Sequence, residues 1–158
     1  MPTAFNIRYF DARRDWPQFV ALNFQTFRDS IPPGEMVDEE GFRRHHQWLM
    51  DHYAPADPAR GTILVAELGT EYVGHCWLSS QTDFFTREDE AWVFDLTVAP
   101  KFRRQGAARA LMAAAQAMAK SRGLRHIGLQ VMGHNREAQA LYAKLGFNVA
   151  SYKLRMPI

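Results

Sequence analysis

Trp92-Val93-Phe94-Asp95-Leu96-Thr97-Val98-Ala99-Pro100-Lys101-Phe102-Arg103-Arg104-Gln105-Gly106-Ala107-Ala108-Arg109-Ala110-Leu111-Met112 reads as a β-strand, a sharp turn, a short basic loop with one glycine, and the start of a helix. Such an order suits a bound phosphate. The first N–H groups of a helix have no partner inside it and carry the positive end of its dipole. Gly106 lets the backbone approach closely without a Cβ, and Ala107 and Ala108 keep that end of the helix small. Lys101, Arg103, Arg104 and Arg109 add cations around the same turn. A basic loop capping an ordinary helix would look the same on this stretch alone.

A second, independent segment gives the first its meaning. Val98 to Ala108 resembles the acyl-CoA loop of the GNAT superfamily of N-acetyltransferases, whose pattern is Gln or Arg, two residues, Gly, one residue, then Gly or Ala. Arg103, Gly106 and Ala108 match it. Asn135-Arg136-Glu137-Ala138-Gln139-Ala140-Leu141-Tyr142-Ala143-Lys144-Leu145-Gly146-Phe147 resembles that family's later helix, with its Asn, its Leu-Tyr pair and its terminal Gly-Phe. One helix and one strand separate the two segments, as the resemblance requires. Residues 1–90 carry little of the signature.

Composition sets outer limits. A chain of 158 residues with 47% hydrophobic residues is expected to form one domain, residues 1–158, with a packed core. A formal charge of +2 is thin for a nucleic-acid binder, so none is expected as a partner. Cys76 is the only cysteine, which excludes an intrachain disulfide framework. Met1-Pro2-Thr3-Ala4-Phe5 lacks a basic region followed by a long apolar run, and no apolar stretch spans a membrane. A cytoplasmic protein without a membrane partner is the expectation.

Working outward, alternation predicts strands over 5–10, 62–68, 72–80, 91–98, 126–132 and 147–156. Helices are expected from near Asp15-Pro17 to Asp29, after Asp38-Glu39-Glu40 to about Tyr53, from Arg104 to Arg122, and from Asn135 to Gly146. The first helix would bury Trp16, Val20, Phe24 and Phe27, and the second Phe42, His46, Leu49 and Tyr53. Gly69-Thr70 signals a hairpin, and residues 81–90 a polar loop. The order β-α-α-β-β-β-α-β-α-β is a mixed α/β (α+β) arrangement, a largely antiparallel sheet with helices on both faces. The GNAT resemblance implies the same order, with the fourth and fifth strands splayed to admit acetyl-CoA as acyl donor.

The resemblance also assigns roles. The amides of Arg104, Gln105, Gly106, Ala107 and Ala108 would hold the pyrophosphate. Lys101, Arg103 or Arg109 would meet the ribose phosphate. The edge of Leu96, Thr97 and Val98 would pair with the pantetheine arm, as a peptide adds to a sheet. The N–H of Val98 or its neighbour would steady the thioester oxyanion. Tyr142 follows Asn135 by seven residues, about two turns at ~3.6 residues each, so both face one way. Tyr142 resembles the family's proton donor to the leaving thiolate, or else is a core tyrosine beside Leu141 and Leu145. Asn135 is a helix cap, with a further hydrogen bond to the donor implied by the resemblance.

An alkylamine nucleophile, with a pKa near ~10.4, must lose a proton. Many family members carry Glu two residues before the strand's Leu; this chain has Phe94 there. Asp95 would be the base if a bulge turned it to the site, and otherwise ties down a loop. Glu90, His75, Glu35 and a water relay are the alternatives. His45, His46 and His52 complete no metal-ligand pattern, so no metal is expected. Cys76 is expected to be buried and inert. The expected activity is direct acetyl transfer to a primary amine of a small molecule or a peptide, with a non-catalytic acyl-CoA sensor as the alternative. The acids Asp83, Glu88, Asp89 and Glu90 hint at a cationic acceptor. The short C-terminus suggests completion by a second copy, a homodimer.

Overall fold

The structure, a computed structural model, describes residues 4–158; Met1–Thr3, part of the stretch read above for a leader, lie outside it. A five-stranded sheet runs in the order β1 (Asn6–Tyr9), β2 (Thr62–Leu68), β3 (Glu71–Thr82), β4 (Asp89–Val98), β5 (Ile127–Leu129). The first three pairings are antiparallel, and β4 with β5 is parallel. Helices α1 (Ala12–Asp29) and α2 (Glu39–Tyr53) cover one face; α3 (Ala107–Ser121) covers the other, and α4 (Arg136–Lys144) follows β5.

Alternation along the strands sorts the core. Leu64, Ala66, Cys76, Leu78 and Val93 meet Leu111, Met112 and Ala115 of α3. Ile63, Val65 and Trp77 meet Phe19 of α1 and Met50 of α2. Removing this apolar area from water is the main favourable contribution to the fold. Cys76 is fully buried within the first cluster, and burial pushes its thiol pKa up.

Local signals place the helix ends. Asp38 Oδ1 accepts from Glu40 N at 3.2 Å and starts α2. Leu124 N bonds Ala119 O, and Phe147 N bonds Tyr142 O, both at 3.0 Å, closing α3 and α4 with an apolar residue folded back. Helix α1 starts earlier than expected: Asp11, not Asp15, is its cap, accepting from Arg13 N at 3.0 Å. Pro17 therefore lies inside the helix.

The buried stripe of α1 is also rotated from the expected one. It consists of Asp15, Phe19 and Asn23. Hydrophobicity hides this face because two of its three residues are polar and satisfied inside the protein. Asp15 is gripped by Arg8 through bonds of 2.6 and 2.7 Å. The β3–β4 hairpin is longer than expected, so its tip shrinks to residues 83–88. The final strand over 147–156 does not form. Residues 148–158 are exposed and carry no regular structure, leaving Tyr152, Leu154, Met156 and Ile158 in solvent.

Candidate functional site

The loop between β4 and α3 is pinned before it turns. Pro100–Phe102 forms a 3₁₀ turn with Phe102 buried, and Gln105 Nε2 donates to Lys101 O at 3.0 Å. Arg104 and Gly106 both take positive φ, +60° and +96°. This is why the helix starts at Ala107 rather than at Arg104: two left-handed residues cannot continue a right-handed helix. A side chain at Gly106 would meet no atom within 4 Å, so the glycine is required by its backbone angle and not by crowding. The consequence is a row of unused donors. From Arg104 to Arg109 no backbone N–H has an acceptor among the described residues, and the first helical bond runs from Ala110 to Gly106 O at 3.0 Å.

The cations around this row are not equivalent. Lys101 pairs with Glu71, and Arg103 Nε donates to Val98 O at 3.1 Å. Arg104 and Arg109 have no ion-pair or hydrogen-bond partner among the described residues and are exposed. Charge and donors thus converge where an anion would sit.

Beside the loop the sheet opens. β4 pairs with β5 only from Ala91↔Ile127 to Val93↔Leu129. Beyond Val93 the strands part, and the β5-side edge of residues 94–98, including Leu96 and Val98, has no strand partner. Asn135 caps α4, its Oδ1 accepting from Ala138 N at 3.0 Å. Tyr142 lies on the same helix, its ring 5.6 Å from that of Phe147. Its hydroxyl has no hydrogen-bond partner among the described residues. Burial, with smaller contributions from Asp95 and Cys76, pushes its pKa up to about 12. The phenol therefore keeps its proton through the neutral range.

A bulge decides where Asp95 points. Trp77 pairs with Asp95 and Leu78 with Val93, leaving Phe94 as the extra residue. Phe94 and Asp95 consequently share the α1–α2 face. Phe94 stacks on Trp77 at 4.8 Å and packs on Tyr53 at 4.7 Å. Asp95 is 2% exposed. Its Oδ2 accepts from Asn23 Nδ2 and His75 Nε2, each at 2.8 Å, and its Oδ1 from Thr97 Oγ1 at 2.5 Å. Thr97 Oγ1 also touches Thr26 Oγ1 of α1. His46 Nε2 lies 2.8 Å from Asn23 Oδ1, and His75 Nδ1 lies 2.8 Å from the Tyr72 hydroxyl.

Of the residues singled out by sequence, the loop amides, Leu96 and Val98 gather at one opening, and Asn135 and Tyr142 share the helix that follows β5. His75 is fully buried with both ring nitrogens engaged. Glu90 accepts from Gln81 on the hairpin surface, and Glu35 lies on an exposed loop. The acids of the hairpin have internal partners: Asp83 takes the Phe85 and Thr86 amides, Glu88 pairs with Arg125, and Asp89 with Thr82. Asn23, Thr26 and the His46–Asn23 link were missed. The hint was polar residues in line with Phe19 at helical spacing, Asp15 four before it and Asn23 four after. A cavity of about 340 Å³ lies at the far end of α3 among Ala119, Leu124, Ile127 and Phe147, away from this opening. Among the described residues no group of three or more His, Cys, Asp or Glu gathers for a metal, and no helix is long and apolar enough to cross a membrane.

Comparison with known proteins gives the family and the fold. An uncharacterized N-acetyltransferase, YycN, of Bacillus subtilis is 31% identical over 126 residues, 80% of this chain and 67% of that protein. Of other curated relatives the chain spans about half the length or less. A putative acetyl transferase from Pyrococcus furiosus superposes with a TM-score of 0.82 at 21% identity, covering 98% of this chain and all of that one. Aminoglycoside N-acetyltransferase AAC(6')-Iy in complex with CoA superposes with a TM-score of 0.73 at 17% identity, covering 100% of this chain and 97% of that one. The model of the acetyltransferase (GNAT) family matches residues 16–147, a span that holds both the amide row before α3 and the Asn135–Tyr142 helix, and the chain belongs to that family.

Proposed function

We propose that the protein is an acetyl-CoA-dependent N-acetyltransferase that moves an acetyl group directly to a primary amine of a small molecule. The observation that carries this reading is the row of unused amides from Arg104 to Arg109 beside the unpaired edge of β4. In this reading the row and the side chains of Arg104 and Arg109 hold the diphosphate of acetyl-CoA. The bound thioester supplies the activated acetyl group. Arg103, tied to Val98 O, shapes the loop. Leu96 and Val98 offer main-chain groups to the pantetheine arm, and an N–H at Val98 steadies charge on the thioester oxygen.

Tyr142 then donates its proton to the leaving sulfur. Its hydroxyl is free of protein partners and protonated at neutral pH, as that role needs. Asn135, as cap, orients the same helix. Asp95 serves by anchoring the bulge from inside, because both of its oxygens are already occupied. The acceptor would enter on the α1–α2 face, where Phe94 and Tyr53, backed by the buried Trp77, form an aromatic wall. That wall, and the similarity in fold to an aminoglycoside N-acetyltransferase, support a small molecule over a peptide. A homodimer in the cytoplasm is the expected state, and light scattering checks the assembly.

The test is CoA release from acetyl-CoA with spermidine, free lysine, neamine and an alanine-terminated peptide. Turnover with one of the small amines is expected. Tight acetyl-CoA binding with no turnover on any of them would instead favour the sensor, a reading that the apolar Phe94 keeps alive.

A further inference from the structure

The network around Asp95 fixes the direction of each of its hydrogen bonds. A carboxylate only accepts, so Asn23 must turn its NH₂ group, and His75 its Nε2–H, toward Asp95 Oδ2. The opposite amide orientation would set Asn23 Oδ1 against a carboxylate oxygen, two acceptors face to face. Asn23 Oδ1 therefore points at His46 and can only accept, so His46 Nε2 bears the proton. A neutral imidazole has one N–H, which leaves a lone pair on His46 Nδ1.

That lone pair is available. No described residue donates to His46 Nδ1. Among the described residues the sole buried side-chain polar atom lacking both a partner and solvent is Arg8 Nε. His46 Nδ1 thus keeps some contact with solvent although the residue is only 6% exposed. The ring is held between Phe24 and Phe27, with centroids at 5.2 and 6.0 Å. His75 differs, since the Tyr72 hydroxyl occupies its Nδ1. The contacts Asn23–Asp95 and Thr26–Thr97 seat this part of α1 directly on the segment of β4 whose edge is open.

On the acetyltransferase reading above, we propose that His46 Nδ1 takes the proton of the attacking amine, with Asn23 and Asp95 holding the imidazole in the required tautomer. The amine lone pair attacks the thioester carbonyl, forming the C–N bond as the C–S bond breaks. The ammonium proton passes to His46 Nδ1. The sulfur gains a proton from Tyr142, which recovers one from solvent, and His46 releases its own to solvent. The sum is amine plus acetyl-CoA giving acetamide plus CoA thiol.

The charged groups around His46 agree with this role. Burial holds its pKa below the ordinary value, the charge of Asp95 on β4 pulls the other way, and His45 on its own helix adds to the lowering. Arg43 lies over the Phe24 ring, and Arg28 of α1 is engaged by Glu39 of α2. The ring is consequently neutral at neutral pH.

The experiment compares wild type, His46→Gln and His46→Ala, using the best acceptor among spermidine, lysine and neamine. Gln keeps an N–H for Asn23 without a basic nitrogen. For both variants kcat is expected to fall on the order of 10²- to 10⁴-fold, with acetyl-CoA affinity unchanged by calorimetry. The acidic limb of the pH–kcat profile should vanish, and added imidazole should restore turnover to His46→Ala. Turnover of His46→Gln within about threefold of wild type, or a loss that leaves the acidic limb in place with no imidazole rescue, would overturn this inference alone. Absence of turnover in wild type would remove the acetyltransferase reading itself, and this inference with it.

Discussion

Asp95→Ala separates an internal anchor from a free base. The wild-type carboxylate is 2% exposed and accepts from Asn23, His75 and Thr97. Truncation leaves all three donors without an acceptor inside the protein. Each orphaned buried donor costs roughly 1–3 kcal/mol. Relaxation of Thr97 toward Thr26, and water entering the space, would recover part of that cost. A net loss of about 3–5 kcal/mol is expected, a large fraction of the ~5–15 kcal/mol available to a domain. Asp95→Asn keeps one acceptor but turns an NH₂ group toward a donor, so about half that loss is expected. Urea unfolding followed by circular dichroism and by tryptophan fluorescence measures both variants, with the m-value checking that the transition stays two-state. A loss below about 1 kcal/mol for Asp95→Ala would refute the reasoning, because a carboxylate reaching into a solvated site can be removed at little cost.

Three further outcomes follow from the same geometry. Tyr142→Phe should lower kcat about 10- to 100-fold, toward the low end for a general acid, since a thiolate of pKa near ~8.5 leaves readily; an unchanged kcat would remove Tyr142 from the chemistry. Burial alone would raise the Asp15 pKa, but the Arg8 contact, together with the Asp11 amide and Arg14, more than reverses this and holds it below the ordinary 3.8. Its contribution to stability is thus full above about pH 4 and is lost as the pH falls through the lowered value, and urea midpoints between pH 2 and 6 should show a smaller loss in Arg8→Met than in wild type. Deleting residues 149–158, all exposed and without regular structure, should change stability by no more than about 0.5 kcal/mol, whereas a larger drop would mean that the segment packs after all.

The parts legible in the sequence are those set by local chemistry. The Arg103–Gly106–Ala108 pattern found the loop, and Gly123 and Gly146 found the helix ends, because backbone angle and apolar fold-back act within a few residues. Legibility stopped where distant residues decide. The α1 stripe was misread because Asp15 and Asn23 are buried only by virtue of Arg8 and Asp95, partners that hydrophobic periodicity cannot see. The bulge at Phe94 is invisible to the sequence for a related reason: one extra residue on β4 is defined only by its register with β3. Alternation also predicts a final strand that does not form. Tyr152, Leu154, Met156 and Ile158 alternate as a strand would, yet alternation supplies no neighbouring edge to pair with. Helical spacing places His46 in the core, and its Nε2 contact with Asn23 becomes visible only in the fold.

The account rests on the amide row before α3 holding a diphosphate. Titration calorimetry of acetyl-CoA into the wild-type protein and into Gly106→Val measures this directly. Wild type should bind one equivalent with a dissociation constant in the roughly 1 µM to 1 mM range usual for enzyme substrates, and Gly106→Val, which cannot hold a φ of +96° without strain, should bind far more weakly while still folded. No heat of association in wild type, or equal affinity in the two proteins, would contradict it.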